Sequence, residues 1–285
     1  MAAQLQPAGF LQRVLFATDF SPAAASALPY AAALARAFHG CLYAAHVIEV
    51  EPWETAPELT LQSRIEALRE LDALVDMPGL GTLPRRAILR HGGVAPQLLR
   101  IAEEQGMDAI VTGTEARHGL GYLLAGSVSE KLARAASCSV LAVGPRATHP
   151  DGEVRFRNLV LLAYRNPAAA GAVQYAARFA ASFGARLQVL HAIPPGSSKD
   201  QTDSTRLWLH KVVAPELELQ VDLHWCVAEG EPQTVLCRMA ETSSVDLVML
   251  GPGAANLLPE VMPHLPCPVM AVRQTLSFAR QTASA

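Results

Sequence analysis

Lysine is nearly missing from this chain: among 285 residues there are only Lys131, Lys199 and Lys211. No G-x-x-x-x-G-K-[ST] occurs, which excludes a P-loop, because that loop needs its lysine on the terminal phosphates. The 23 basic residues stand against 26 acidic ones, a net charge of −3. That balance gives no basic surface for nucleic acid or an anionic membrane. No unbroken apolar run reaches about 18 residues, so no transmembrane helix is expected. The N-terminus, MAAQLQPAGFLQR, lacks a basic segment followed by a long apolar one and does not read as a signal peptide. The five cysteines, Cys41, Cys138, Cys226, Cys237 and Cys267, are odd in number and form no C-x-x-C. A disulfide framework or zinc site is therefore not expected; small core thiols in a reducing cytoplasm are. The nine histidines also lack H-x-x-x-H spacing.

What the chain does have is an internal repeat. VLFATDFSPAAASALPYAAALARAFHGCLYAAHVI, from Val14, matches VLLAYRNPAAAGAVQYAARFAASFGARLQVLHAI, from Val160, if one residue is deleted near Asn166. Tyr30 then falls on Tyr175, Phe38 on Phe183, His46 on His191, and Asp19 on Arg165. Further on, MDAIVTG matches VDLVMLG and CSVLAV matches CPVMAV. The sequence reads as two domains, residues 10–145 and 156–273, joined by the polar stretch PRATHPDGEVR.

Each domain alternates short apolar β-type runs with amphipathic helices. In the first, RVLFAT, CLYAAHVI, RRAILR, DAIVTG and SVLAV are strands. Ser21-Pro22 starts a helix, with a hydroxyl to cap free N–H groups and a proline in the first turn. Ala27, Ala31, Leu34, Ala35 and Phe38 form its apolar stripe. The expected fold is α/β, two tandem doubly wound five-stranded parallel sheets. Ligands in such folds bind beyond the carboxyl ends of the strands.

The loop GTEARHGLGYLLAGSV, residues 113–128, leaves the fourth strand. It ends in Ser127-x-x-Glu130, a capping box, so the fourth helix is expected to begin there. Free N–H groups and the positive end of a helix dipole suit a phosphate, and the preceding Gly126 permits close approach. The second repeat lacks this loop. From Gly113 to Cys138 the numbering advances 25, but from Gly251 to Cys267 only 16, nine fewer. Pro259, Pro263 and Pro266 also break the helix pattern there. The fold thus tolerates a short connection, which favours a ligand role for the long one.

The ATDFS opening, the HVI ending the second strand and the glycine loop together resemble the universal stress proteins, specifically their ATP-binding branch with G-x2-G-x9-G-[S/T]. Here that pattern reads Gly113, Ala116, Gly126-Ser127, with alanine in place of the second glycine. The resemblance covers residues 10–145 and, more weakly, 156–273. It implies a site for ATP, ADP or AMP, with or without Mg2+. Asp19 would meet the adenosine, beside Ala17 and Thr18. Val47 would line the adenine pocket. Gly113 and Ala116 would follow ribose and phosphates, and Gly126, Ser127 and Val128 would hold the phosphates. It further implies pairing of the two domains within the chain, in imitation of a homodimer, and a stress-response regulator.

Read without the resemblance, Asp19 also suits a turn, Ser127 a plain helix cap and Val47 the core. Arg117 and His118 could pair with phosphate or be solvated, and Glu115 would repel it. Three functions stay open: a nucleotide-responsive regulator, an interaction module that binds no nucleotide, and a slow ATPase.

Overall fold

The computed structural model describes residues 10–49, 57–114, 127–147, 153–212 and 221–273. Residues from Phe10 to Val143 form one compact unit, and the described residues from Gly144 onward form another.

In the first unit, β1 (Arg13–Ala17), α1 (Pro22–Ala37), β2 (Cys41–Ile48), α2 (Pro57–Val75), β3 (Arg85–His91), α3 (Val94–Glu104), β4 (Ala109–Gly113), α4 (Val128–Ala135) and β5 (Ser139–Val143) alternate along the chain. The strands pair in parallel in the order β3-β2-β1-β4-β5. The order reverses direction at β1 and β4, so the connections leaving those two strands turn opposite ways and open a crevice between them.

Strand side chains alternate between the faces of the sheet. Leu15, Ala17, Tyr43, Ala45, Val47, Ile110 and Val140 form a core with Leu98 and Ile101 of α3 and Leu132 of α4. The alternate residues, Val14, Phe16, Leu42, Ala44, Val111 and Leu141, are buried on the other face, where α1 and α2 pack on the strands. Burying both faces explains the near-continuous apolar runs in the sequence. The predicted α1 stripe, Ala27, Ala31, Leu34, Ala35 and Phe38, is buried throughout. Ser21 caps α1, its Oγ accepting from the Ala24 N–H at 3.2 Å.

The second unit repeats the plan with β6 (Asn158–Leu162), α5 (Ala169–Phe183), β7 (Arg186–Ile193), α6 (Lys199–Val212), β8 (Leu223–Glu229), α7 (Pro232–Thr242), β9 (Leu247–Leu250), α8 (Leu258–Val261) and β10 (Val269–Ala271). Its order is β10-β9-β6-β7-β8, again parallel. The helix before β10 is reduced to a 3-10 turn, Ala255–Leu257, and the single turn α8, as the prolines predicted.

The strand register corrects the repeat alignment. Arg13 pairs with Cys41, and Asn158 with Arg186. The Thr18 N–H donates to Ala45 O, and the Ala163 N–H to Leu190 O. One constant offset therefore carries Thr18 to Ala163, His46 to His191 and Pro22 to Pro167, with no deletion. The counterpart of Asp19 is Tyr164; Arg165 answers to Phe20, and Asn166 to the capping Ser21. The deletion had aligned similar apolar residues, Val14 with Val160, while the parallel pairing within each unit makes Val14 the equivalent of Leu159. No helix among the described residues is long and apolar enough to cross a membrane.

Candidate functional site

The crevice of the first unit holds a cavity of about 230 Å³. It is lined by Ala17 ending β1, Thr18 and Asp19 after it, Val47 on β2, Gly113 ending β4, and Ser127 and Val128 opening α4. These seven of the nine residues singled out from the sequence meet in one place. Ala116 and Gly126 lie outside the described residues.

Each wall has a local cause. Thr18 is buried, and its Oγ1 accepts from the Phe20 N–H at 3.0 Å. Asp19 is exposed at the rim, its Oδ1 accepting from the Ser21 N–H at 3.0 Å. This is the turn role its residue type suggested, and it leaves Oδ2 to other partners. Val47 is buried among Ala45, Leu98 and Ile101, so its wall is also core.

Gly113 is there for a steric reason. A Cβ at this position would lie 1.8 Å from the Ala23 carbonyl oxygen in the first turn of α1. Only glycine lets the end of β4 pass so close to the start of α1.

Ser127 caps α4: its Oγ accepts from the Glu130 N–H at 3.2 Å and lies 3.1 Å from the Ser129 Oγ. Glu130 pairs with Arg134 one turn on, at 3.0 Å. The start of α1, at Ser21, Ala23 and Ala24, and the start of α3, at Val94, also reach the cavity. Three helix N-termini therefore face one space, each presenting the positive end of its dipole. Asp19 is the single ionisable side chain among the described lining residues. Sequence reasoning missed Val94, Leu98, Thr112 and Ser129. The clue to the first two was present: HGGVAPQ places a helix start directly after β3, on the same carboxyl edge.

In the second unit a side chain ties together the two loops that border the equivalent crevice. Asn166 accepts from the Ala168 N–H at 3.0 Å through Oδ1, and its Nδ2 donates to Pro252 O at 2.8 Å. This side chain staples the loop after β9 to the loop after β6. Gly253, at φ 93°, brings that loop against the Tyr164 ring. Burial, reinforced by Glu260 and Glu231, pushes the Tyr164 hydroxyl pKa up. A neutral phenol thus stands where the first unit has the Asp19 carboxylate. Among the described residues no group of three or more His, Cys, Asp or Glu side chains is placed to hold a metal.

Comparison with known proteins agrees with this architecture. The model of the universal stress protein family matches twice, over residues 11–144 and 157–273. A universal stress protein of Methanocaldococcus jannaschii is 29% identical over 141 residues, 46% of this chain and 81% of that protein. Universal stress protein A homolog 1 of Coxiella burnetii is 32% identical over 143 residues, 46% of this chain and 95% of its own length. Among solved structures, a universal stress protein from Archaeoglobus fulgidus superposes with a TM-score of 0.70 at 16% identity, covering 93% of this chain and 98% of that one. The chain belongs to the universal stress protein family and carries two of its domains in tandem.

Proposed function

We propose that the first unit binds one adenine nucleotide, ATP, ADP or AMP, and that the chain acts as a nucleotide-responsive regulator in the stress response. The observation that carries this reading is the cavity, where the rim carboxylate of Asp19, the apolar wall at Val47 and the capped N-terminus of α4 converge. In this reading the base lies against Val47 and the ribose near Asp19. The phosphates meet the free N–H groups at Ser127 and Val128, together with Gly126. Such N–H groups favour anions without a lysine, which suits a chain that has almost none. Mg2+ would accompany a triphosphate and offset its charge beside Asp19.

Calorimetric titration with AMP, ADP and ATP tests this directly. One equivalent should bind, and the double variant Ser127→Ala/Gly126→Val should abolish binding while the protein stays folded. Unchanged affinity in that variant would refute the assignment. A slow ATPase would appear in the same samples as phosphate release.

A module that binds protein and no nucleotide has one observation in its favour. Leu61, Ile65 and Leu68 form an apolar row on α2, exposed by 59%, 42% and 39%. Absence of any nucleotide heat in the titration would select that reading.

A further inference from the structure

Left-handed backbone in this protein mostly recurs between the repeats. His39, at φ 51°, answers to Gly184, at 60°; Ser244, at 46°, answers to Gly106, at 59°; Gly92, at 118°, answers to Gly230, at 133°. These positions end helices or enter them, so the architecture itself requires them. Phe20 is different. It stands at φ 61°, yet no residue from Ala163 to Asn166 has positive φ. The same connection is made without strain in the second unit, so the fold does not demand it in the first. A bulky residue held there is costly and persists only when its surroundings over-determine it.

The surroundings do so here. The Phe20 ring lies on the His46 imidazole, centroids 4.5 Å apart and planes tilted by 31°. His46 Nδ1 is 2.8 Å from Thr18 O; a carbonyl can only accept, so Nδ1 carries the proton and donates. His191 makes the same bond to Ala163 O at 2.7 Å. The histidine bond is therefore common to both units, whereas the stacked phenylalanine is not. In the second unit Arg165 takes the place of Phe20 and lies 5.9 Å over Trp208, which meets His191 edge-on at 5.5 Å. The turn is closed by two bonds, Phe20 N–H to Thr18 Oγ1 and Ser21 N–H to Asp19 Oδ1, and the second is placed by the left-handed torsions of Phe20. Both residues thus held line the cavity; Phe20 and His46 do not.

We propose that Phe20 and His46 are a positioning pair: their stack holds the Thr18–Ser21 turn in its strained form and so sets Asp19 at the cavity rim, raising affinity for the nucleotide. This rests on the nucleotide reading above. In the second unit, where Asn166 ties the two bordering loops together, the phenylalanine is absent.

The test uses the full chain and the variants Phe20→Gly and Phe20→Ala. Glycine adopts φ 61° freely, so Phe20→Gly removes the stack without leaving strain, and it should stay folded. Phe20→Ala removes the stack and keeps the strain. Hydrogen exchange at the amides of residues 20 and 21, without ligand, should quicken in Phe20→Ala, which keeps the strain and loses the stack, and less in Phe20→Gly, which relieves it. Affinity for AMP, ADP and ATP should fall about tenfold or more in folded Phe20→Ala. Unchanged exchange protection in Phe20→Ala overturns the proposal, whatever the wild-type chain binds. So does quickened exchange with affinity kept within about twofold of wild type. If wild-type protein binds no adenine nucleotide, the nucleotide reading falls and takes this inference with it, a result distinct from the other two.

Discussion

At the residue scale the same residue type does different work at equivalent positions. Gly113 ends the fourth strand of the first repeat and Gly251 follows that of the second, yet a Cβ on Gly251 would stand 3.0 Å from its nearest atom, Leu162 O, against 1.8 Å at Gly113. A carbonyl at 1.8 Å cannot be accommodated without moving α1. Gly113→Ala should therefore destabilise by about 3 kcal/mol, the upper end of overpacking, and Gly251→Ala by about 1 kcal/mol. Urea denaturation of both variants checks the difference, and equal midpoints would contradict the close approach.

Cys138 and Cys267 are a second equivalent pair, both buried and unpaired, their pKa values pushed up to about 12 chiefly by burial. The unfolded thiol titrates near 9.0, so above that pH the unfolded state loses protons that the folded state keeps. Their contribution is intact below 9.0 and is lost as pH rises toward about 12, by up to about 1.4 kcal/mol per pH unit per thiol. Cys138→Ala should flatten this decline in a pH series of denaturation midpoints, whatever its cavity costs at lower pH. Alkylation should reach Cys41, Cys226 and Cys237 first, and all five thiols only in the unfolded chain.

At the scale of elements, the contrast lies between α4 and its counterpart. α4 runs for eight residues behind a serine cap. In the second unit Ala255–Leu257 and Leu258–Val261 share the same stretch, with Pro259 in the only full turn. Ser127→Ala should cost about 1 kcal/mol by releasing the Glu130 N–H, visible as a lower denaturation midpoint. Asn166→Ala removes two hydrogen bonds from the loops that border the second crevice, so its cost should reach about 2 kcal/mol. A silent Asn166→Ala would mean the staple is not what ties those loops.

For the whole molecule, two copies of one fold differ at the crevice. The first has a crevice under three helix N-termini; in the second, Asn166 ties the loop after β6 to Pro252 in the loop after β9. The expected stoichiometry is one nucleotide per chain. A titration that reaches two equivalents would show that the stapled crevice also takes ligand. Binding should also raise the melting temperature with nucleotide concentration, following RT ln(1 + [L]/Kd).

The sequence by itself determined the class of fold, the strand and helix positions and the tandem repeat, because two buried faces force continuous apolar strands and 3.6-residue helical stripes wherever they occur. The resemblance of its motifs to the universal stress proteins also marked seven residues that the crevice brings together, of which Asp19 and Ser127 were legible from turn and cap chemistry as well. The sequence could not determine the register of the repeat: Val14 and Val160 look alike in a string, and only the parallel pairing within each unit makes Val14 the equivalent of Leu159. Nor could it show that Gly113 answers to a carbonyl of α1, or that Phe20 is wound left-handed over His46. Those are contacts between segments far apart in the chain, and their distances are set by how strands and helices pack together.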